Sequence, residues 1–236
     1  MIPVHNEASN LPRLMAEMQA SLPALAPELE IVLVDDGSTD GGAEVARRAL
    51  GELGQHLRVV RHQVKSGYGV SVADGLRAAR GDFVAFIDGD GQFDPGDLHL
   101  LARALEGHDL VAGIRARRAD PFFRSVISGV FNVLVRLTYG ISKRDVDCGL
   151  KIMSRDFLAS AFPLQARSAL LNTELFFKAK KGGWGVYQVQ VTHRPRLAGV
   201  RSGARLRPIL RAVKELVLLR LKLARTWSPD RRAVTA

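Results

Sequence analysis

The run Phe83-Val84-Ala85-Phe86-Ile87 is apolar throughout and leads straight into Asp88-Gly89-Asp90-Gly91-Gln92. A short apolar run bounded by turn residues reads as a strand buried on both faces. Buried strands in an α/β sheet do not normally end in clustered charge. Ligands of such sheets sit beyond the carboxyl ends of the strands, so chemistry is expected here. Asp88, Asp90 and Gln92 stand at alternate positions. Hard oxygen donors at this spacing suit Mg²⁺ or Mn²⁺, ions that share their coordination with substrate phosphates. Taken alone, a polar turn with Gly89 and Gly91 at positive φ explains the same residues.

A second strand end repeats the pattern. Glu30-Ile31-Val32-Leu33-Val34 runs into Asp35-Asp36, then Gly37-Ser38-Thr39-Asp40-Gly41. Ser38 or Asp40 is expected to cap a helix over about 42–53. A cap accounts for Asp40 but does not require the Asp35-Asp36 pair, and Asp36 is expected to point into the crevice above the sheet.

Strands are read at 1–4, 30–35, 57–62, 83–88 and 109–113, with helices at 9–24, 42–53, 69–79 and 95–106 between them. Ser9 or Asn10 would cap the first helix, with Pro12 in its first turn. Strands alternating with helices of this length imply parallel βαβ units. The 236 residues suffice for one globular domain with a full core.

Thirty-four Lys and Arg against twenty-four Asp and Glu give a formal charge of +10. That balance implies an anionic partner: nucleic acid, a phosphate-rich substrate or an acidic membrane surface. With 6% aromatics the chain lacks the stacking platforms of a single-strand binder, so no nucleic acid is expected. The single cysteine, Cys148, excludes an intramolecular disulfide and fits a reducing compartment. It reads as a buried packing residue rather than a nucleophile. No signal-peptide pattern and no apolar stretch of membrane-spanning length is visible.

Pro3-Val4-His5-Asn6-Glu7, Val34-Asp35-Asp36-Gly37-Ser38-Thr39-Asp40-Gly41 and Asp88-Gly89-Asp90-Gly91-Gln92 stand in that order. Together they resemble the motifs of family 2 inverting glycosyltransferases, most closely the polyprenyl-phosphate branch typified by dolichyl-phosphate-mannose synthases. Lys65-Ser66-Gly67-Tyr68-Gly69 resembles that branch's element after the third strand. The resemblance spans about residues 2–203. Against it, the first strand lacks several apolar residues, so this chain is expected to start late.

The resemblance implies a glycosyltransferase A-type, Rossmann-like α/β fold, with a mostly parallel central sheet and helices on both faces. It implies a nucleotide-sugar site of Pro3, His5, Glu7, Val34, Asp36, Lys65, Asp88, Gly89, Asp90, Gln92, Arg115 and Arg196. Asp88, Asp90 and Gln92 would hold the metal, Mg²⁺ or Mn²⁺, and Asp90 and Arg115 are the expected catalytic residues. The lesser alternatives are a helix-capping acid for Glu7 and a plain loop residue for His5.

The acceptor side is basic. Arg115 closes a fifth strand, matching the family's Gly-X-Arg. A helix over about 122–139 carries Arg124, Ser128 and Asn132 on neighbouring turns. Arg124, Ser128 and Arg201 are the expected acceptor-phosphate ligands, since arginine meets phosphate bidentately. Arg117 and Arg118 read as a solvated basic loop. Asp145-Val146-Asp147-Cys148-Gly149-Leu150-Lys151-Ile152 resembles a family segment expected as a strand behind the acceptor site. Glu174 is either an acid near the sugar or a plain acid at a helix start. The loop from Arg196 to Gly203 resembles one that closes over donor phosphates, with Arg201 replacing a missing lysine.

The last helix, about 205–227, is amphipathic. Arg207, Arg211, Lys214, Lys222 and Arg225 form one sector, and Ile209, Val213, Leu216, Val217 and Leu223 lie opposite. It would lie on an anionic membrane or pack on the core, and Arg220 in the apolar sector argues against deep burial.

These readings converge on a catalytic domain at 1–203, a basic amphipathic helix at 204–227 and a disordered tail at 228–236. The expected function is metal-dependent, inverting transfer of a sugar from a nucleotide-sugar to a membrane polyprenyl phosphate. The enzyme would be cytoplasmic and peripheral at the inner face of the cell membrane, held there by anionic lipid or by a separate membrane subunit. Transfer to a hydroxyl acceptor and a phosphoacceptor signalling domain are the alternatives; the length and Asp88-Gly89-Asp90-Gly91-Gln92 weigh against the second.

Overall fold

The apolar runs form the strands of one α/β layer structure. A computed structural model describes residues 1–115, 122–196 and 206–227, with the backbone alone for 122–128 and 206–213. The strands are β1 (Ile2–Val4), β2 (Ile31–Asp35), β3 (Leu57–Arg61), β4 (Phe83–Ile87), β5 (Leu110–Arg115), β6 (Leu150–Ser154) and β7 (Val186–Val191). The helices are α1 (Leu11–Ser21), α2 (Gly42–Ala49), α3 (Tyr68–Ala78), α4 (Leu98–Ala104), α5 (Phe122–Tyr139), α6 (Arg155–Ala161), α7 (Leu170–Gly182) and α8 (Leu206–Thr226).

The strand pairs β1–β2, β2–β3 and β5–β7 are parallel, as the βαβ reading requires. A second group runs β4-β6-β5-β7. Met1 joins the two groups: its amine donates to the Ala85 carbonyl at 2.6 Å, and the Ile87 amide donates to the Met1 carbonyl at 3.2 Å. Burial pushes that amine down to about 5.

β6 is the one antiparallel strand among the described residues. The strand expected over 145–152 is instead a turn followed by a strand. Asp145 adopts φ +45°, and the Cys148 amide closes a turn on the Asp145 carbonyl at 3.0 Å. Pairing then starts at Leu150, opposite Ile87.

Alternate side chains of each strand enter opposite layers, as the pleat dictates. Val32, Val34 and Phe86 pack with α3, α6 and α7 residues, whereas Ile31, Leu33 and Ile87 pack with α1, α2 and α4 residues. Each fully buried aliphatic or aromatic side chain contributes about 1.5–3 kcal/mol. Phe83 is the exception to the buried-strand reading: it lies exposed at the start of β4. A cavity of about 750 Å³ opens at these N-terminal strand ends, lined by Met1, Ile31, Phe83 and Ala85 among others. It lies at the opposite end of the sheet from Asp88 and Asp90.

α8 packs its Leu216, Leu219 and Leu223 into the core, and the Tyr139 hydroxyl donates to the Leu216 carbonyl at 2.7 Å. Arg220 does not oppose this burial. Its Nε donates to the Thr138 carbonyl at 3.3 Å, and its guanidinium stands 5.1 Å from the Phe177 ring centre. Among the described residues, no helix is long and apolar enough to cross a membrane. The tail at 228–236 lies outside the described residues.

Candidate functional site

The ends of β1, β2, β4 and β5 converge on one side of the sheet and bring the acids together. Asp88 follows β4 directly; its amide donates to the Gly149 carbonyl at 3.1 Å. A Cβ at Gly149 would collide with the Asp88 carboxylate, and one at Gly89 would stand 2.8 Å from the Pro3 carbonyl. Close backbone approach, rather than positive φ, therefore explains both glycines. The Tyr68 hydroxyl donates to Asp88 Oδ1 at 3.0 Å, and Asn172 adds a side-chain hydrogen bond to Tyr68. Burial, then the charge of Asp90, push the Asp88 carboxyl up to about 7; Tyr68, Lys151 and Arg115 pull it the other way.

Asp90 receives the Gln92 amide at 3.1 Å on Oδ1, and Arg196 Nη1 stands 3.8 Å from its Oδ2. Arg196 also pairs with Glu7, whose other oxygen accepts from Asn10 Nδ2 at 2.6 Å. Glu7 is therefore a partner of Arg196 rather than a helix-capping acid. Asn10 is the N-cap of α1 and makes no side-chain cap bond; its Nδ2 serves Glu7. Gln92 is tied to the same segment: its Nε2 donates to the Arg194 carbonyl at 3.0 Å, and the Arg194 amide returns a bond at 2.7 Å to the Gln92 carbonyl. The expected metal set thus divides into two convergent carboxylates and a carboxamide turned toward Arg194.

Asp36 is buried instead of facing open crevice. Its Oδ1 accepts from His62 Nδ1 at 2.8 Å and the Ser66 amide at 2.7 Å, and its Oδ2 from the Gly67 amide at 2.9 Å. Burial raises this carboxyl, but those donors outweigh it and hold it below the usual aspartate range. His62 Nε2 lies 3.2 Å from Asp74. Asp36 thereby fixes the loop that carries Lys65, which stays exposed. His5 Nδ1 donates to the Asp36 carbonyl at 2.8 Å. Val34 is fully buried in the core, so its side chain offers the crevice nothing. Gly41, at φ +72°, replaces Ser38 or Asp40 as the N-cap of α2. Asp40 instead accepts from Ala8 at 2.8 Å and Gly42 at 3.1 Å.

Arg115 is held at both ends by Asp145: Nε to Oδ2 at 2.8 Å and Nη2 to Oδ1 at 2.5 Å. Burial alone would lower this guanidinium, but Asp145 overcomes it and holds it above its ordinary value. Lys151 is fully buried beneath the site, donates to the Cys148 carbonyl, and lies 5.7 Å from the Phe86 ring centre. Burial pushes the Cys148 thiol up to about 11, in keeping with a packing role. The side chains of Arg124 and Ser128, and all of Arg117, Arg118 and Arg201, lie outside the described residues.

Glu174 is neither of the things expected of it. It is fully buried, accepts from the Gln165 amide at 2.8 Å and the Ala166 amide at 2.7 Å, and pairs with Lys178 at 2.8 Å. Lys178 in turn donates to the Ala161 and Pro163 carbonyls, both at 2.7 Å. The pair clamps the turn between α6 and α7.

Sequence reasoning missed Tyr68, Asn172, His62 and Asp145 as members of this network. Tyr68 and Asp145 stand inside recognised motifs; nothing local marks His62 or Asn172. Among the described residues, no group of three or more His, Cys, Asp or Glu side chains is placed to hold a metal ion. Asp88 and Asp90, close enough that the charge of Asp90 raises the Asp88 carboxyl, are nonetheless a donor set suited to a hard divalent cation completed by water and phosphate oxygens.

Known proteins resemble this chain in sequence and in fold. An undecaprenyl-phosphate 4-deoxy-4-formamido-L-arabinose transferase from Aeromonas hydrophila is 32% identical over 172 residues, covering 72% of this chain and 53% of that protein. Its Pseudomonas aeruginosa counterpart is 33% identical over 172 residues, covering 72% and 51%. The chain spans about half the length of these curated relatives. Glucosyl-3-phosphoglycerate synthase from Mycobacterium tuberculosis, solved with phosphoglyceric acid, superposes with a TM-score of 0.68 at 23% identity, covering 93% of this chain and 78% of that one. Solved with Mg²⁺ and uridine diphosphate, it gives a TM-score of 0.65 at 23% identity, covering 95% and 77%. At that identity the likeness shows a shared glycosyltransferase A-like α/β fold. The profile described as Glycosyl transferase family 2 matches residues 1–162, more than half of the sequence, and the chain belongs to that family.

Proposed function

We propose that this chain transfers a sugar, with inversion, from a nucleotide-sugar to a polyprenyl phosphate at a membrane surface. The observation that carries the reading is the Asp88–Asp90 pair beyond β4, held by Tyr68 and flanked by Arg115 and Arg196. The undecaprenyl-phosphate transferases among its relatives support the acceptor class.

In this reading Asp88 and Asp90 would hold Mg²⁺ or Mn²⁺, which when bound would supply Lewis-acid neutralisation of the departing diphosphate. Gln92 orders the segment leading to Arg196. Pro3, His5 and the 65–67 loop frame the nucleoside. Glu7 and Asp36 act through the groups they hold, Arg196 and the loop. Arg196 leaves Glu7 to meet donor phosphate, and Arg115, oriented by Asp145, adds positive charge where negative charge develops. Arg124, Ser128 and Arg201 meet the acceptor phosphate. That phosphate is already ionised, so attack on the far face of the anomeric carbon needs no strong general base. The protein works at the cytoplasmic face of the membrane, held by anionic lipid.

The test is a transfer assay with a panel of nucleotide-sugars and Mn²⁺. Product on undecaprenyl phosphate, with none on the dephosphorylated alcohol, is the expected result. Equal transfer to the alcohol would move the acceptor to the hydroxyl class.

A further inference from the structure

The pair α5 and α8 carries an apolar surface that the chain itself leaves uncovered. Ten large apolar side chains are exposed among the described residues, and six stand on these two helices: Val130, Val133, Leu137, Val217, Leu218 and Leu221. Their exposure runs from 49% for Val217 to 77% for Leu137. Scattered exposed apolar residues need no explanation, but a cluster does.

The contact of Arg220 with Thr138 fixes the seam between the helices. At about 100° per residue, the buried Leu216, Leu219 and Leu223 lie about 40–100° to one side of Arg220, and Val217, Leu221 and Leu218 about 60–160° to the other. On α5 the buried Val135 and Tyr139 lie about 60–100° to one side of Thr138, and Val130, Leu137 and Val133 about 80–140° to the other. Both exposed stripes therefore flank the outer side of one seam.

Charge identifies the occupant. Over 129–139 and 214–227 the cations are Arg136, Lys214, Arg220, Lys222 and Arg225, against the single acid Glu215. Arg136, Lys214, Lys222 and Arg225 are exposed. Lys180 stands at the end of α5, on the Gly140 carbonyl. A second copy of this chain would set like charges against like. An anionic lipid surface takes both the apolar stripes and their basic rim.

We propose that α5 and α8 together form a lipid-docking face that inserts its apolar stripes among anionic headgroups. The proposal rests on the reading that the acceptor is a membrane lipid. It replaces the single-helix expectation, in which basic charge on the last helix alone held the surface.

The experiment is co-sedimentation of the full chain with vesicles of phosphatidylcholine alone and of phosphatidylcholine mixed with phosphatidylglycerol. Wild type is expected in the pellet with the acidic vesicles only, with a fraction retained at high salt. Val133→Ser/Leu137→Ser on α5 and Leu218→Ser/Leu221→Ser on α8 are each expected to lower partitioning about tenfold. Lys214→Glu/Lys222→Glu should lower it mainly at low salt. A second readout keeps the test independent of those variants. Because Cys148 is buried, Leu137→Cys takes an environment-sensitive label at one site, and its emission should shift to the blue on acidic vesicles. Wild type that stays in the supernatant, an α5 pair that sediments like wild type, or a label that does not shift overturns the proposal. So does a concentration-dependent dimer that the α5 pair abolishes. Vesicle binding without transfer to undecaprenyl phosphate would defeat the acceptor reading and leave the docking face standing.

Discussion

The Tyr68 hydroxyl donates to Asp88 Oδ1 at 3.0 Å, so a residue opening α3 sets the carboxylate that ends β4. A partner behind a metal-binding carboxylate orients it and tunes its affinity. Tyr68→Phe should weaken apparent Mn²⁺ affinity about tenfold in the presence of nucleoside diphosphate. The ligand-free melting temperature should change little. Titration of Mn²⁺ against nucleotide-dependent stabilisation measures it, and an unchanged midpoint contradicts the role given to Tyr68.

Asp36 supplies a pH signature. Its carboxyl is held below its ordinary range, so the native state binds fewer protons there than the unfolded chain. Its contribution is complete above the unfolded aspartate value, about 4, and fades as pH falls through the lowered native value. Asp36→Asn should therefore cost about 1–2 kcal/mol at pH 7 and less at pH 2, the penalty shrinking as the native carboxyl takes up its proton. Urea unfolding at both pH values tests this; an equal penalty at both refutes it.

The Glu174–Lys178 pair predicts a stability effect without a catalytic one. Lys178→Met leaves the Glu174 charge buried without its partner and should destabilise by about 3–5 kcal/mol. Apparent KM for donor and acceptor should be unchanged in the folded protein. Loss of turnover with wild-type stability would place Glu174 back near the sugar.

The strands β2 and β4 and their acidic ends were legible because short apolar runs ending in Asp and Gly have few other readings. The motif residues reached the right end of the sheet for the same reason. What the sequence could not show was how far-separated residues consume one another's charge. Arg196 meets Glu7 across 189 positions, and Arg115 meets Asp145 across 30. Asp36 was read as open to the crevice because His62 has no local signal that it will turn toward it. The strand read over 145–152 slipped because Asp145, at φ +45°, and the turn that Cys148 closes on it break the run before Leu150. On α8, periodicity found an amphipathic helix but not which apolar residues face the core: Leu219 is buried and Val217 is not. That distinction depends on where α5 and α7 lie.

The central claim is that Asp90 helps hold a divalent ion on a donor diphosphate. Thermal melting of wild type and Asp90→Ala, with nucleoside diphosphates and either Mn²⁺ or EDTA, tests it most directly. Ligand that binds only the native state raises its stability by mass action. Wild type should be stabilised by at least one nucleoside diphosphate with Mn²⁺ and not with EDTA. Asp90→Ala should melt like ligand-free wild type under every condition. Stabilisation of the variant equal to wild type at saturating Mn²⁺, or stabilisation of wild type that persists in EDTA, would contradict the account.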